Sequence, residues 1–178
     1  MELPDYARII RSLPRGEHPY LALLPRISES PAVRRIESPV MPLARLLETA
    51  RVRIKPGEGF VWIDHEARSV ILIEQYYRSG HPRDLYLDLL HELTHLRQLA
   101  DGQDLWDKRH SYVDRPTEIE GYAIAIEEGC RLGMTEEEIL HHLSNPWMTD
   151  AEVRRLRRNV DLFLAEAVAK TATGSGGR

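Results

Sequence analysis

Two histidines and a glutamate lie at a spacing that can bind zinc and activate water. Residues 91–95, His-Glu-Leu-Thr-His, read H-E-x-x-H. Apolar residues recur with a helical period over 85–100, which predicts an amphipathic helix around the motif. On such a helix His91 and His95 lie on one face, a turn apart, where two imidazoles can share one zinc ion. Glu92 lies about 100° further around, within reach of a metal-bound water without being a ligand.

A catalytic zinc usually takes three protein ligands and leaves a fourth position for water. The third ligand must come from elsewhere in the chain, and the candidates are His110, Asp114, Glu118 and Glu120. The segment 115–123 is the best source, because it opens a second predicted helix. The apolar arc of that helix is centred about 80° from Glu118 and about 120° from Glu120, which favours Glu118 and leaves Glu120 as the alternative. Glu120 also follows Thr117 by three residues, a spacing that can complete a capping box.

Such a site predicts peptide-bond hydrolysis by a zinc-activated water. Zinc would lower the pKa of the water toward about 7 and polarise the scissile carbonyl, and Glu92 would act as general base. The oxyanion needs a further donor, for which the candidates are Tyr112 and His110, and also Arg109 and Tyr122. Asp88, one turn before the motif, is placed to orient a ligand. Gln98 lies on the ligand side of the helix without an evident task.

Length and composition indicate a globular protein in a reducing compartment. The 178 residues are enough for one domain with a sizeable core. A single cysteine, Cys130, excludes an internal disulfide framework. No apolar run approaches the roughly 18 residues that span a bilayer, and residues 1–20 have no signal-peptide core. We therefore expect a cytoplasmic protein that has no membrane partner.

Charge is distributed unevenly along the chain. Residues 61–150 carry eight basic and eighteen acidic side chains, a net charge of −10, whereas residues 1–60 carry ten and seven, a net +3. Acidic residues raise the local affinity for cations and repel phosphate backbones, which argues against nucleic acid over the motif. The four arginines at 154, 155, 157 and 158 could instead bind nucleic acid, but a solvated helix face explains them as well. The expected partner is a protein or peptide substrate.

The remaining pattern predicts a small sheet that precedes the motif helix and several helices that follow it. Periodicity, prolines and turn residues predict helices over 3–13 and, starting at Ser38-Pro39, as far as Ala50. They also predict an irregular surface arm over 14–39 and strands at 52–55, 60–63 and 70–73, the last two as a hairpin. After a loop over 101–115, helices are predicted at 116–132, 135–143 and 149–169. Capping boxes at Thr135 and Thr149 mark the last two helix starts.

The motif and the order of elements resemble those of the zincin metallopeptidases, in particular the gluzincin branch with its minigluzincins and ImmA/IrrE-like members. The resemblance covers about residues 60–132 and implies an α+β, zincin-like fold, in which a small antiparallel or mixed sheet of about three strands packs on the H-E-x-x-H helix. The edge strand would border the substrate cleft. ImmA/IrrE-like proteins would place the third ligand at Glu118, three residues before Gly121. Aminopeptidase-like gluzincins would place it at Glu120, in the segment 120–123.

The predicted organisation has three parts. They are N-terminal helices and a proline-rich arm over 1–50, a metallopeptidase domain over 51–170 with one catalytic Zn²⁺, and a disordered tail over 171–178. Two further hypotheses concern regulation: the domain could bind metal without hydrolysis and act through a protein partner, or the arm over 14–39 could cover the cleft and keep the enzyme latent. The sequence does not predict the oligomeric state.

Overall fold

The computed structural model describes residues 2–174, and the side chains of 2–169. Its sheet has four strands in the order β1-β2-β4-β3, with β1 at Gly16–Pro19, β2 at Arg51–Lys55, β3 at Val61–Asp64 and β4 at Ser69–Ile73. β2 and β4 are parallel, and the two outer pairings are antiparallel. The three predicted strands and their hairpin are therefore confirmed, and the sheet is mixed. The fourth strand comes from the segment that was predicted to be an irregular arm.

The arm over 14–39 does not lie on the surface as predicted. It contains β1 and the single-turn helix α1 (Tyr20–Leu23), which are followed by two 3-10 turns. Tyr20 is completely buried, and its hydroxyl donates to the carbonyl oxygen of Leu89 at 2.6 Å. Ile27 and Ile36 are equally buried. Residues 1–50 therefore pack into the same hydrophobic core as residues 51–170.

The helix predicted over 3–13 is also wrong, since only a 3-10 turn forms, at Asp5–Ala7. Tertiary hydrogen bonds take up the backbone groups that a helix would pair internally. The amide of Ile10 donates to Leu23 at 2.9 Å, and its carbonyl accepts from the Tyr77 hydroxyl at 2.6 Å. The same hydroxyl accepts from the amide of Leu13 at 3.0 Å. The apolar side chains of the segment still pack against the core, although the segment is not an α-helix.

The remaining helices agree closely with the prediction, except that the helix predicted to start at Ser38-Pro39 begins only at Leu43. The Ser38 hydroxyl instead accepts from the amide of Met41, at 3.0 Å, in a turn before that helix. The remaining helices are α2 at Leu43–Thr49, α3 at Glu74–Ser79, α4 at Pro82–Ala100, α5 at Pro116–Arg131, α6 at Glu136–Leu143 and α7 at Asp150–Gly174. Only α3 was not predicted. Reciprocal hydrogen bonds between Thr135 and Glu138 and between Thr149 and Glu152 confirm both capping boxes. α7 extends five residues beyond the predicted end, into the predicted disordered tail, and residues 175–178 lie outside the described part of the chain.

The motif helix lies at the centre of the fold. α4 packs against β3 and β4 on one side and against α5 on another, while α6 and α7 complete the helical layer around α5. Almost the whole of α4 from Leu85 to Gln98 is buried. The architecture is α+β, as predicted. No helix within the described residues is both long and apolar enough to cross a membrane.

Candidate metal centre

The two motif histidines lie on the same face of α4 and are nearly inaccessible to solvent. The ring centroids of His91 and His95 are 4.4 Å apart, and the ring planes are nearly perpendicular. Their spacing of four residues places the rings on adjacent turns. The helix therefore brings two nitrogen donors together without any contribution from a loop.

A carboxylate from the first turn of α5 completes the group. Glu118 Oε2 lies 3.4 Å from Nε2 of His91 and 3.6 Å from Nε2 of His95. One ligand atom from each residue lies within 4.8 Å of the other two, and all three side chains are buried. This group could hold a metal ion. Two imidazoles and one carboxylate are a donor set that zinc takes in catalytic sites, so the residues fit the predicted ion.

α5 approaches α4 so closely at Gly121 that no side chain fits between them. A Cβ atom at this position would lie 2.9 Å from Nδ1 of His91. The ring of Tyr122 packs on the same imidazole, with the centroids 4.3 Å apart. The glycine therefore allows α5 to lie against His91, and this contact brings Glu118 to the two histidines.

Gln98 and Glu120 support the group without belonging to it. The side-chain oxygen of Gln98 lies 2.7 Å from Nδ1 of His95, so it can accept a hydrogen bond from this nitrogen and direct Nε2 toward Glu118. The Gln98 amide donates to Glu120 at 2.7 Å, and Glu120 pairs with Arg97 at 2.5 Å. Glu120 is therefore turned away from the histidines. The sequence showed that Gln98 was on the ligand side, but its task depends on an atom-to-atom contact.

Burial and neighbouring charges shift the pKa values of these residues in the metal-free protein. Burial lowers the pKa of His91 to about 4, and the neighbouring His95 adds to the shift. Burial also opposes the charged form of His95, but the hydrogen bond and charge of Glu118 outweigh it and raise its pKa to about 9. For the Glu118 carboxyl, hydrogen bonds from both imidazoles outweigh burial and hold the pKa well below its usual value. An ion pair between His95 and Glu118 results, and a bound cation would displace the Nε2 proton of His95.

Glu92 has the environment of a proton-transfer group. It is buried on α4 beside the histidines, and its Oε2 has no hydrogen-bond partner. Burial raises the pKa of Glu92 to about 8, with further contributions from the charges of Glu118 and Asp88 against the opposing effect of His95. A buried carboxyl oxygen without a hydrogen-bond partner is costly even in the protonated acid, so its presence calls for an explanation.

A cleft opens beside these residues. It consists of two adjoining depressions of about 490 and 350 Å³ that share Val61, His91, Glu92 and Tyr112. Of the candidate oxyanion donors, Tyr112 lines both depressions, and its hydroxyl lies 2.9 Å from that of Tyr122.

Two other candidate residues of the loop lie away from the cleft. His110 is not among the cleft residues; its ring is 42% exposed and lies 3.9 Å from Asp107. Arg109 is exposed and also pairs with Asp107. The structure therefore brings Tyr112 and Tyr122 to the histidines, and it places Arg109 and His110 elsewhere. Asp114, one of the candidate ligands, pairs with Arg155 at 2.7 Å.

Asp88 lies on the wall of the cleft and contacts other groups than the motif. It accepts a hydrogen bond from the Tyr76 hydroxyl, and Nε2 of His142 lies 3.7 Å from its other oxygen. The His142 side chain is only 4% exposed, and this nitrogen has no hydrogen-bond partner. A role for Asp88 in orienting a metal ligand remains a prediction.

Two alternative hypotheses find little support in the contacts. Arg155 and Arg157 of the basic cluster on α7 are in ion pairs, Arg157 with both Glu136 and Asp161, so part of the positive charge is already compensated. Every residue that lines the cleft beside Glu92 follows position 59 in the chain. The arm over 14–39 therefore does not cover this cleft.

Comparisons with family models, with curated proteins and with solved structures find no match to this chain. The resemblance to gluzincins therefore depends on the motif and the order of elements alone.

Proposed function

We propose that the protein is a zinc-dependent peptidase. The observation that carries this proposal is the position of Glu92: a buried carboxylate with an unpartnered oxygen, on the same helix as two histidines that meet a third ligand candidate, Glu118. A purely structural metal site needs no such carboxylate. His91, His95 and Glu118 would hold the ion, and the bound ion would supply Lewis acidity and lower the pKa of water toward about 7.

Side chains of the protein would then carry out proton transfer, stabilise the developing oxyanion and position the ligands. Glu92 accepts a proton from the attacking water and returns it to the amine nitrogen of the leaving group. Tyr112, whose raised pKa keeps it protonated, donates a hydrogen bond to the carbonyl oxygen as negative charge develops there. Gln98 fixes the ring of His95, and Gly121 keeps α5 close enough for Glu118 to reach the histidines.

The substrate would lie in the cleft along β3. This strand is at the edge of the sheet, and among the described residues it pairs only with β4. Its other edge offers backbone donors and acceptors to an extended chain, a common mode of peptide recognition. A polypeptide bound in this way would pass His91 and Glu92 on the floor of the cleft.

The proposal predicts that Glu92→Gln separates metal binding from hydrolysis. The amide keeps the size of the side chain but cannot accept the proton, so cleavage of a denatured protein should fall at least about 100-fold. The zinc content, measured by atomic absorption, should remain that of the wild type. His95→Ala is the matched control, because it should lose zinc and activity together.

Two results would contradict a peptidase. One is a wild-type chain that binds zinc and cleaves no protein or peptide, as expected for a regulatory metal-binding domain. The other is undiminished cleavage by Glu92→Gln.

A further inference from the structure

The three tryptophans of the chain meet at one end of the cleft. Trp62 lies in β3, Trp106 in the loop before α5, and Trp147 in the loop before α7, yet all three line the depression that contains His95 and Glu118. Their exposed fractions are 40%, 45% and 61%. Distant parts of the sequence therefore converge to present indole rings to solvent beside the candidate metal centre.

Half of the exposed large hydrophobic side chains among the described residues lie in this cleft. The described residues include eight exposed large hydrophobic side chains, and four of them line the cleft: the three tryptophans and Phe60. The other four, Leu21, Val40, Leu162 and Val168, are spread over the sequence. A cluster of exposed aromatic rings marks a binding surface, since each ring can bury a large apolar area against a ligand.

Two of the three tryptophan rings pack against neighbouring rings. Trp147 packs edge-on against Tyr112, with the centroids 4.7 Å apart, and Trp106 packs on His65 at 4.8 Å. Leu105 lines the same depression and is buried. This set, Trp62, Leu105, Trp106 and Trp147, forms an aromatic end of the cleft that is built before any ligand arrives.

The other depression of the cleft contains the carboxyl groups of Asp84 and Asp88 and two histidines, His141 and His142, and neither lysine nor arginine is among its lining residues. His142 lies 3.7 Å from Asp88, whereas the partly exposed Asp84 has His81 at 3.6 Å and Arg83 at 3.9 Å as its ion-pair neighbours among the described residues. Arg83 is held more closely by Glu138, at 2.6 Å. A ligand that spans the cleft therefore meets apolar rings at one end and negative charge at the other.

We propose that the cleft selects extended peptide segments with a bulky apolar side chain next to the bond over Glu92 and without acidic residues nearby. This inference rests on the proposed function and names its substrate class. The apolar side chain packs on the aromatic end, the backbone pairs with β3, and the carboxyl groups at the other end repel negatively charged segments. Such segments are exposed in unfolded polypeptides, since folded proteins bury most of their large apolar side chains.

Binding tests this proposal separately from hydrolysis. The full-length Glu92→Gln variant, supplied with Zn²⁺, is titrated with three labelled peptides and followed by fluorescence anisotropy. The first peptide has a Phe-Leu centre in an Ala-Ser-Gly context, the second has an Ala-Ala centre, and the third has the Phe-Leu centre flanked by glutamates. We expect the dissociation constant of the Ala-Ala peptide to be at least about tenfold higher than that of the Phe-Leu peptide.

Substitutions in the cleft should remove each preference. Trp62→Ala and Trp106→Ala should weaken binding of the Phe-Leu peptide by about tenfold and leave the Ala-Ala peptide nearly unchanged. Leu162→Ala, at an exposed apolar residue of α7 outside the cleft, is the control and should leave the affinity for both peptides unchanged. The glutamate-flanked peptide should bind about two- to fivefold more weakly than its neutral counterpart. Asp84→Asn should reduce this difference between the two dissociation constants.

Equal binding of the first two peptides, or tryptophan variants that bind like wild type, would overturn the aromatic preference. A glutamate-flanked peptide that binds as well as the neutral one would overturn the charge selection. Cleavage by the Glu92-containing chain is measured in parallel on the same peptides. Cleavage without any preference would refute this inference alone, whereas selective binding without cleavage would refute the peptidase and leave the peptide class standing.

Discussion

At the scale of single residues, the candidate metal centre is set by which carboxylate reaches the two histidines. Glu118 and Glu120 are two positions apart on α5, so their side chains point in different directions. Glu118 lies within 3.6 Å of both imidazoles, whereas Glu120 is occupied by Arg97 and Gln98. The half-buried Glu120 carboxylate is held by these two partners, whereas the buried Glu118 carboxylate lies beside both imidazoles and is the ligand candidate.

The two glutamates should therefore respond differently to neutralisation. Glu118→Gln removes the negative ligand and should lower zinc affinity by more than the 10- to 100-fold that is typical of residues that only orient a ligand. Glu120→Gln should lower it by less than about tenfold, because it reaches His95 only through Gln98. Competition with a chromogenic chelator measures both constants. A larger loss in Glu120→Gln would reverse the assignment of the third ligand candidate.

At the scale of secondary structure, the centre depends on the packing of α5 against α4. α5 begins with Pro116 at a position where a missing amide is harmless, and Glu118 in its first turn faces the positive end of the helix dipole. One turn later Gly121 lies against His91. The first two turns of α5 therefore supply both the carboxylate and the space that lets it approach.

Gly121→Ala tests this packing. At an open helix position the change to alanine would stabilise the helix by up to about 1 kcal/mol, but here the new methyl group would lie 2.9 Å from Nδ1 of His91. We expect a loss of zinc affinity of at least about tenfold and a lower melting temperature.

Gly129→Ala, further along α5, is the matched comparison. Its new methyl group would meet the flexible end of Met134 and the side chain of Leu87, away from the histidines, so zinc affinity should be retained. Unchanged affinity in Gly121→Ala would show that α5 can shift without cost to the site.

At the scale of the whole molecule, the N-terminal fifty residues belong to the structure that supports the cleft. β1 pairs with β2, and the Tyr20 hydroxyl donates a hydrogen bond to the carbonyl oxygen of Leu89 in α4. The Arg11 guanidinium donates to the carbonyl oxygens of Tyr77 and Gly80, at 2.7 and 2.8 Å. A single core therefore extends from residue 7 to residue 160.

Deleting residues 1–42 should consequently unfold the protein and not activate it. The deletion removes β1 and completely buried side chains such as Tyr20 and Ile27, each of which contributes roughly 1.5–3 kcal/mol of transfer free energy, against a total stability of about 5–15 kcal/mol. Circular dichroism during thermal melting measures the loss. A folded, more active truncation would restore the hypothesis of a latent enzyme.

Metal binding should stabilise the whole molecule without being required for folding, since the core is large and continuous. An ion that binds only the folded state stabilises it by about 2.7 kcal/mol when its free concentration is 100 times its dissociation constant. For a chain of this size that corresponds to a rise in melting temperature of roughly 5–10 °C. Zinc should produce this rise, a chelator should reverse it, and a His91→Ala variant should show neither. A zinc-induced rise that persists in His91→Ala would place the metal elsewhere.

Local patterns in the sequence determined much of the helical layer. The spacing of His91, Glu92 and His95 on a periodic apolar stripe, the capping boxes and the β-branched hairpin all depend on residues close in the chain, so each could be predicted without a fold. The helical phase of α5 already favoured Glu118. The helix predicted over 3–13 failed because an apolar pattern does not reveal whether backbone groups will pair internally or with distant partners such as Tyr77.

Only the tertiary structure decided the contacts between residues far apart in the chain. It placed Glu118 within reach of both histidines, gave Gln98 its task, drew β1 into the sheet and gathered three tryptophans around one cleft. The physical reason is the same in each case. Helical and strand periods fix which way a side chain points on its own element, but the distance between two elements depends on how their surfaces pack, and a single glycine such as Gly121 can set that distance.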